Sequence, residues 1–353
     1  MKLTVQTENA YPIYFCRSYS DLHETFKNTG LLGRKICIVT DTNVASLYLD
    51  TVKEALGGAP AFIFKVGEAQ KHMGTLQEMY KSFLAYKLDR HSIIVALGGG
   101  VAGDLAGFAA ATFMRGVDFV QLPTSLLAQV DASVGGKTAI DFENVKNLIG
   151  AFHQPRLVYI NLTALSTLPH QEFVSGMGEV IKHGLIGDEV YYRYLQDNCQ
   201  AIKDLDPEAM LQVVAGSCRI KERVVSKDEK EAGLREILNF GHCVGHAVES
   251  LSNYSLPHGQ CVAIGMCAVL RLSLKMGHIT QEETEQAVKL MKAFDLPTTT
   301  TGYEPEKILA AMYKDKKTIN DVLRVVLLKK IGEAYTDNTV SPENILESLI
   351  TRS

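Results

Sequence analysis

The segment "SIIVALGGGVAGDLAGFAAA" (residues 92–111) leaves few options for the fold around it. Ser92–Leu97 is apolar without alternation, so both faces of the strand it predicts must be covered, as in a parallel sheet. Glycines follow, and then a helix of small residues. Gly98, Gly100 and Gly103 fit the G-x-G-x-x-G spacing. There a bare backbone lets a pyrophosphate approach and the helix start offers free N–H groups. A tight turn with close helix packing gives the same spacing. This strand is not the first of its sheet, and no acid is clearly placed for a ribose, so the motif alone leaves both readings open.

The surrounding sequence supports the sheet. "KICIVT" (Lys35–Thr40), "AFIFK" (Ala61–Lys65), "FVQLP" (Phe119–Pro123) and "RLVYI" (Arg156–Ile160) are short, apolar and β-branched, with helical periodicity between several of them. Such alternation predicts a mostly parallel sheet covered by helices. "TDTNV" after the first of these strands reads as a capped strand-to-helix turn. From about residue 170 long amphipathic stretches take over, such as Pro207–Ser226 and Gln281–Phe294, with an extended pair at Arg324–Leu328 and Glu333–Thr336. The expected organisation is an α/β domain over residues 1–170 and a mainly α-helical domain over 171–353. No Pro-, Gly- or Ser-rich linker divides them, so close packing of the two is expected.

The 353 residues carry a formal net charge of −4, which argues against nucleic acid as the partner. The start "MKLTVQTENAYPIYF" lacks the apolar core of a signal peptide, and "CVAIGMCAVL" is too short to span a bilayer. Seven cysteines without a C-x-x-C pair suggest reduced thiols and a cytoplasmic protein.

Three of the ten histidines gather in "NFGHCVGHAVES" and "SLPHG". His242 and His246 are four apart and share a face of any helix they lie on. Cys243, not Glu, follows His242, so the H-E-x-x-H metalloprotease pattern is absent. His258 sits at a turn before an apolar helix. "SGMGEVIKHG" adds Glu179, an acid in glycine-rich, apolar company where burial without a partner is costly. Glu179 with two of the three histidines meets the ligand count of a catalytic zinc. Each histidine alone is equally a core or capping residue, and spacing does not say which is spared. On a continuous helix Arg235, Asn239, His242 and His246 would share one face. In "DASVGGKTAIDFENVKNLIGAFHQP", Lys137 follows a glycine turn with little polar company, as a lysine aimed at an anion does; a surface loop reads the same way. "VGEAQK" (Val66–Lys71), Lys221 and "KDKK" (Lys314–Lys317) have plain readings as solvated polar segments.

Taken in order, "LGGGVAGDLAGFAAATFMRG", "LPTSLLAQVDASVGGKTAID", "KNLIGAFHQP", "GMGEVIKHG", "NFGHCVGHAVE" and "LPHG" resemble the 3-dehydroquinate synthase family of the shikimate pathway, over nearly the whole length. The resemblance implies a Rossmann-like nucleotide-binding domain and a helical domain, with the site between them. It implies Glu179, His242 and His258 as ligands of zinc or cobalt, and His246 spared for proton handling. It places Asp41, Asn43, Glu68, Lys71, Gly99, Gly100, Val101, Asp104, Thr124, Ser125 and Thr167 at NAD, with Lys137 and Lys146 shared with substrate. It places Asp131, Asn147, Lys182, Lys221, Arg235 and Asn239 around the substrate, together with Lys316 or Lys317. Arg115 is implied to reach the partner's substrate phosphate across a homodimer. Val66 departs from the family's acidic-Gly-Glu turn.

The implied reaction is a carbon–oxygen lyase step on 3-deoxy-D-arabino-heptulosonate 7-phosphate. NAD oxidises C5, phosphate is eliminated, the hydride returns, and an aldol closure makes 3-dehydroquinate. Rival expectations are a polyol dehydrogenase of the glycerol dehydrogenase type, a deoxy-inosose or valiolone synthase, and a non-enzymatic nucleotide-binding module.

Overall fold

A computed structural model describes residues 1–143, 145–300, 302–314 and 323–350. The chain forms two compact units, Met1–Leu168 and Pro169–Ser353. Lys316 and Lys317 lie outside the described residues.

Among its described residues the first unit holds nine strands: β1 (Lys2–Val5), β2 (Tyr11–Cys16), β3 (Ile36–Asp41), β4 (Ala61–Phe64), β5 (Ile93–Gly98), β6 (Asp118–Pro123), β7 (Lys137–Phe142), β8 (Val145–Phe152) and β9 (Leu157–Asn161). Seven form one sheet in the order β1-β2-β9-β6-β5-β3-β4. All neighbours in it are parallel except β1 with β2. β3, β5 and β9 are buried along their whole length, which is why their sequences lack alternation. Apolar clusters lie on both faces. One gathers Met79, Phe83, Leu105, Phe108 and Phe119, and the other Leu22, Phe26, Val52, Leu97 and Tyr159. After β3 the chain moves outward to β4, then returns across β3 to β5 and proceeds the other way. The strand order therefore reverses between β3 and β5, and their carboxyl ends open a crevice of the kind that binds ligands in doubly wound sheets.

The helix Gly100–Thr112 packs directly on this sheet. A Cβ at Gly103 would meet Gln121 Oε1 at 2.9 Å, so the third glycine of the motif sets the helix–strand distance. β7 and β8 form a separate antiparallel hairpin. Lys137 is thus the exposed first residue of a strand rather than part of a loop. The sequence hides this pairing, because Asn147 takes a left-handed φ of +52° and the register shifts between Ile140 and Phe142.

The second unit is mainly helical: His170–Gly187, Glu189–Asp197, Pro207–Val225, His242–Leu251, His258–Lys275, Gln281–Ala293, Pro305–Tyr313 and Pro342–Leu349. The expected extended pair is a hairpin, β10 (Val325–Lys330) with β11 (Glu333–Asp337). The apolar segment of His258–Lys275 is buried throughout its middle. No helix among the described residues is long and apolar enough to cross a membrane.

Candidate metal centre and cofactor crevice

Four α-helices of the second unit carry its candidate metal ligands and lysines. His170–Gly187 presents Glu179 and Lys182; Pro207–Val225 presents Lys221 near its end. His242–Leu251 presents His242 and His246, and His258–Lys275 begins at His258. Helices come this close only where one side has no side chain. A Cβ on Gly259 would lie 1.8 Å from the Ser175 carbonyl oxygen, and the Gly259 amide donates to Ser175 Oγ at 3.1 Å.

One expectation is corrected here. Arg235 and Asn239 do not continue the helix of the histidines; they lie on a six-residue 3-10 helix, Leu234–Asn239. The chain then turns at Gly241, at φ +78°, before His242 begins the next helix. A Cβ at Gly241 would meet Met266 and the Val262 carbonyl oxygen at 2.7–2.8 Å, so that turn is set by backbone packing. The four residues therefore share no single helical face.

Donor atoms of Glu179, His242 and His258 lie within 4.8 Å of one another. Glu179 Oε1 is 3.7 Å from His242 Nε2 and 3.6 Å from His258 Nε2. The outer ring nitrogens are engaged elsewhere: His242 Nδ1 with the Phe240 carbonyl at 3.2 Å, His258 Nδ1 with Glu249 Oε2 at 3.2 Å. Both partners are acceptors, so both Nδ1 atoms donate a proton outward and both Nε2 atoms are turned toward Glu179, where a metal ion would take their lone pairs. One carboxylate and two such imidazoles suit zinc or cobalt. His246, Glu249 and His258 form a second possible donor group. The rings of His242, His246 and His258 lie 5.3–5.8 Å apart.

The electrostatics match a cation site. Glu179 is 0% and Lys182 1% exposed, and the two are ion-paired. Burial holds His242 well below the usual histidine pKa, with Lys182 and the neighbouring imidazoles adding to it against the pull of Glu179. His242 is thus the neutral ligand form near pH 7. Burial also works against the charged form of His258, yet hydrogen bonds to Glu179 and Glu249 outweigh it and raise the pKa to about 9, so a metal ion taking Nε2 would displace a proton from it. Lys221 and Arg235 are buried too, which overturns the solvated reading of Lys221. Burying three cations in one helical unit is costly and calls for compensating anions and acceptors, as Glu179 gives Lys182. Arg235 is held through its backbone: Asp228 accepts from the amides of Ala232, Gly233 and Arg235 at 2.7, 2.8 and 2.9 Å. Asn239 donates to Glu231 Oε1 at 3.3 Å.

In the first unit the crevice gathers several expected NAD positions. Asp41 ends β3 and caps the next turn, accepting from the amides of Asn43 and Val44 at 2.8 and 3.0 Å. Its Oδ2 lies 3.6 Å from where a Gly98 Cβ would stand. Gly99 caps the helix start, ahead of Gly100, Val101 and Asp104. Thr124 donates its amide to the Gly98 carbonyl at 2.9 Å, and Ser125 Oγ would be 3.4 Å from a Cβ on Gly99. A side-chain-free cradle at a helix N-terminus on the switch point fits the diphosphate of NAD. Lys71 is only 4% exposed, pairing with Asp104 at 2.6 Å and Glu68 at 3.9 Å and bonding to Asn147, so "VGEAQK" is not a solvated loop at its lysine. Thr167 Oγ1 meets the Tyr48 hydroxyl at 2.5 Å. Arg115 is exposed on a turn with φ +67°, Asp131 is half-buried in a π turn (Ala128–Ala132), and Lys146 is half-buried on β8.

Sequence reasoning missed Asp228, Glu231 and Glu249. Glu249 had a signal: it stands seven residues after His242, two helical turns along the same face.

A Rossmann-like α/β unit with a glycine cradle at its switch point, joined in one chain to a helical unit with a carboxylate–imidazole centre, defines a class: the nucleotide-binding fold of the sugar phosphate cyclases. A solved 2-epi-5-epi-valiolone synthase from Streptomyces hygroscopicus subsp. jinggangensis, with NAD+ and Zn2+ bound, matches at a TM-score of 0.88 and 26% identity, over 99% of this chain and 98% of that one. Profiles described as 3-dehydroquinate synthase N-terminal and C-terminal match residues 61–175 and 176–318. The chain is 43% identical to the 3-dehydroquinate synthase of Acetivibrio thermocellus over 357 residues, 99% of this chain and 98% of that one. It is 44% identical to that of Desulforamulus reducens over 358 residues, with 98% and 99% covered. The chain belongs to the 3-dehydroquinate synthase family.

Proposed function

We propose that the chain converts 3-deoxy-D-arabino-heptulosonate 7-phosphate to 3-dehydroquinate and phosphate, as a carbon–oxygen lyase. The observation that carries this reading is the burial of Lys182, Lys221 and Arg235 in the same helical unit as the Glu179–His242–His258 donor set. A simple polyol dehydrogenase acts on a neutral substrate and gains nothing from desolvating three cations; a substrate with a carboxylate and a phosphate does.

Glu179, His242 and His258 would hold zinc, with cobalt as a substitute. Bound there, zinc supplies Lewis-acid polarisation of the substrate hydroxyls. The Gly98–Gly100 cradle with Asp41, Asn43, Glu68, Lys71, Asp104, Thr124, Ser125 and Thr167 would hold NAD. Held there, NAD would supply a reversible hydride acceptor for the substrate's C5. Lys182 and Arg235, desolvated and backbone-anchored respectively, fix the anionic groups, and Asn239 orients a hydroxyl. His246 is half-buried beside the two ligand histidines and has the side chain suited to moving a proton near neutral pH. Asp131, Lys137, Lys146 and Asn147 belong to the same proposal as substrate contacts, as does one of Lys316 and Lys317. Arg115, exposed on its turn, would reach the partner's substrate phosphate in a homodimer. The seven cysteines form no disulfide among the described residues, which suits a cytoplasmic enzyme.

The test is phosphate release from the heptulosonate phosphate, with NADH absorbance followed in parallel. Turnover that requires NAD but accumulates no NADH is expected. Stoichiometric NADH would mark a dehydrogenase, and turnover only with a non-acidic sugar phosphate would mark another cyclase.

A further inference from the structure

We infer that Glu249 is the positioning carboxylate of the metal centre: it fixes the tautomer and orientation of His258 from behind the ring. The inference rests on the metal reading above and deepens it. His258 lies between two carboxylates, Glu249 Oε2 at 3.2 Å from Nδ1 and Glu179 Oε1 at 3.6 Å from Nε2. A carboxylate on Nδ1 leaves the Nε2 lone pair toward Glu179 and makes the ring a stronger donor. His242 receives its orientation from a neutral carbonyl, that of Phe240, so the two imidazoles are supported unequally.

Helix stability does not explain Glu249. It is 5% exposed, so burial disfavours its charge. It also lies in the last turn of the helix His242–Leu251, the negative end of the dipole, where a carboxylate is destabilising. The imidazole it holds offsets both effects in part. Glu249 could also act as a ligand in the second donor group with His246 and His258. Its contact with Nδ1, away from Glu179, favours the supporting role.

The test uses the full chain, stripped with a chelator and titrated with zinc against a chromophoric competitor, as wild type, Glu249→Gln and Glu249→Ala. Zinc affinity should fall about 10–100-fold, the range for loss of an outer partner of a ligand histidine, with the alanine variant at the weaker end. Two further readouts separate this from a structural role. The stripped Glu249→Gln protein should melt close to the stripped wild type, and cobalt-saturated wild type and Glu249→Gln should share one visible spectrum. Affinity within about twofold of wild type would overturn the inference. So would an altered cobalt spectrum at saturation, which would make Glu249 a ligand. Should the alanine variant not fold, the glutamine variant decides alone. A wild type that binds no zinc would fail the metal reading itself, which is a distinguishable result.

Discussion

Gly259 and Ser175 touch backbone to backbone, with no room between them for even a methyl group. This contact seats the first turn of the His258 helix against the helix that carries Glu179. Gly259→Ala should therefore cost about 1–3 kcal/mol, the usual price of overpacking, since neither backbone is free to yield. Denaturant unfolding measures it. Zinc affinity should fall together with stability, and an unchanged midpoint would show that the two helices slide freely.

His242 and His246, equivalent by spacing, should part company on substitution. His242→Ala should lose the metal, because His242 presents its Nε2 to Glu179. His246→Ala should keep it and lose about 10²–10⁴-fold in kcat, the range of general acid–base catalysis. Metal analysis of the purified variants beside their rates decides, and equal metal loss in both would mean a different ligand set.

Lys71→Met should destabilise the first unit by about 1–3 kcal/mol by removing the partly buried ion pair with Asp104. Adding Asp104→Asn should recover part of the loss in a double-mutant cycle. Burial disfavours the charge on Lys71, but Asp104 and Glu68 more than offset it and raise the pKa above 10.5. A raised folded pKa means that the contribution is complete below the unfolded lysine value and disappears as pH rises through the folded one. The wild-type advantage should therefore persist at neutral pH and shrink only in strong alkali.

Asp228 has the opposite sign. Burial raises its pKa, but hydrogen bonds from the Arg235, Ala232 and Gly233 amides outweigh this and hold it below 3.8. A lowered folded pKa gives a contribution present above the unfolded value and lost as pH falls through the folded one. Wild type should be more stable than Asp228→Asn at pH 7, with the gap closing below about pH 4. Because the same amides seat Arg235, the variant should also raise KM. A pH-independent gap would assign the effect to packing instead.

Much of the fold was legible because burial on both faces writes itself as unbroken apolar runs, as in Ile93–Leu97, and because Asp41 announces its turn by capping it. What was hidden had physical cover. β2 contains Pro12 and buries only alternate residues beside the short β1, so it reads as an irregular start. The β7–β8 hairpin breaks its own alternation at Asn147. At the site, residue type and spacing exposed the histidines and Glu179. They could not show that a turn at Gly241 separates Arg235 and Asn239 from the histidine helix. That turn depends on Met266 and Val262, far along the chain. The sequence does not single out Asp228, and it marks Glu249 only by its spacing from His242, since what sets both apart is the partner each one finds.

The place of β9 in the sheet has a consequence for how the chain is made. β2 has only the four-residue β1 beside it until β9 arrives, with Ile13 meeting Val158 across nearly the whole unit. During synthesis the N-terminal hairpin must therefore wait, its outer edge open, until Asn161 has left the ribosome. Such long-range parallel pairing is slow, and open edges invite pairing with the wrong chain. The first segment to emerge is thus among the last to be locked, and the unit's exposure to misassembly is set by the time between making β2 and making β9.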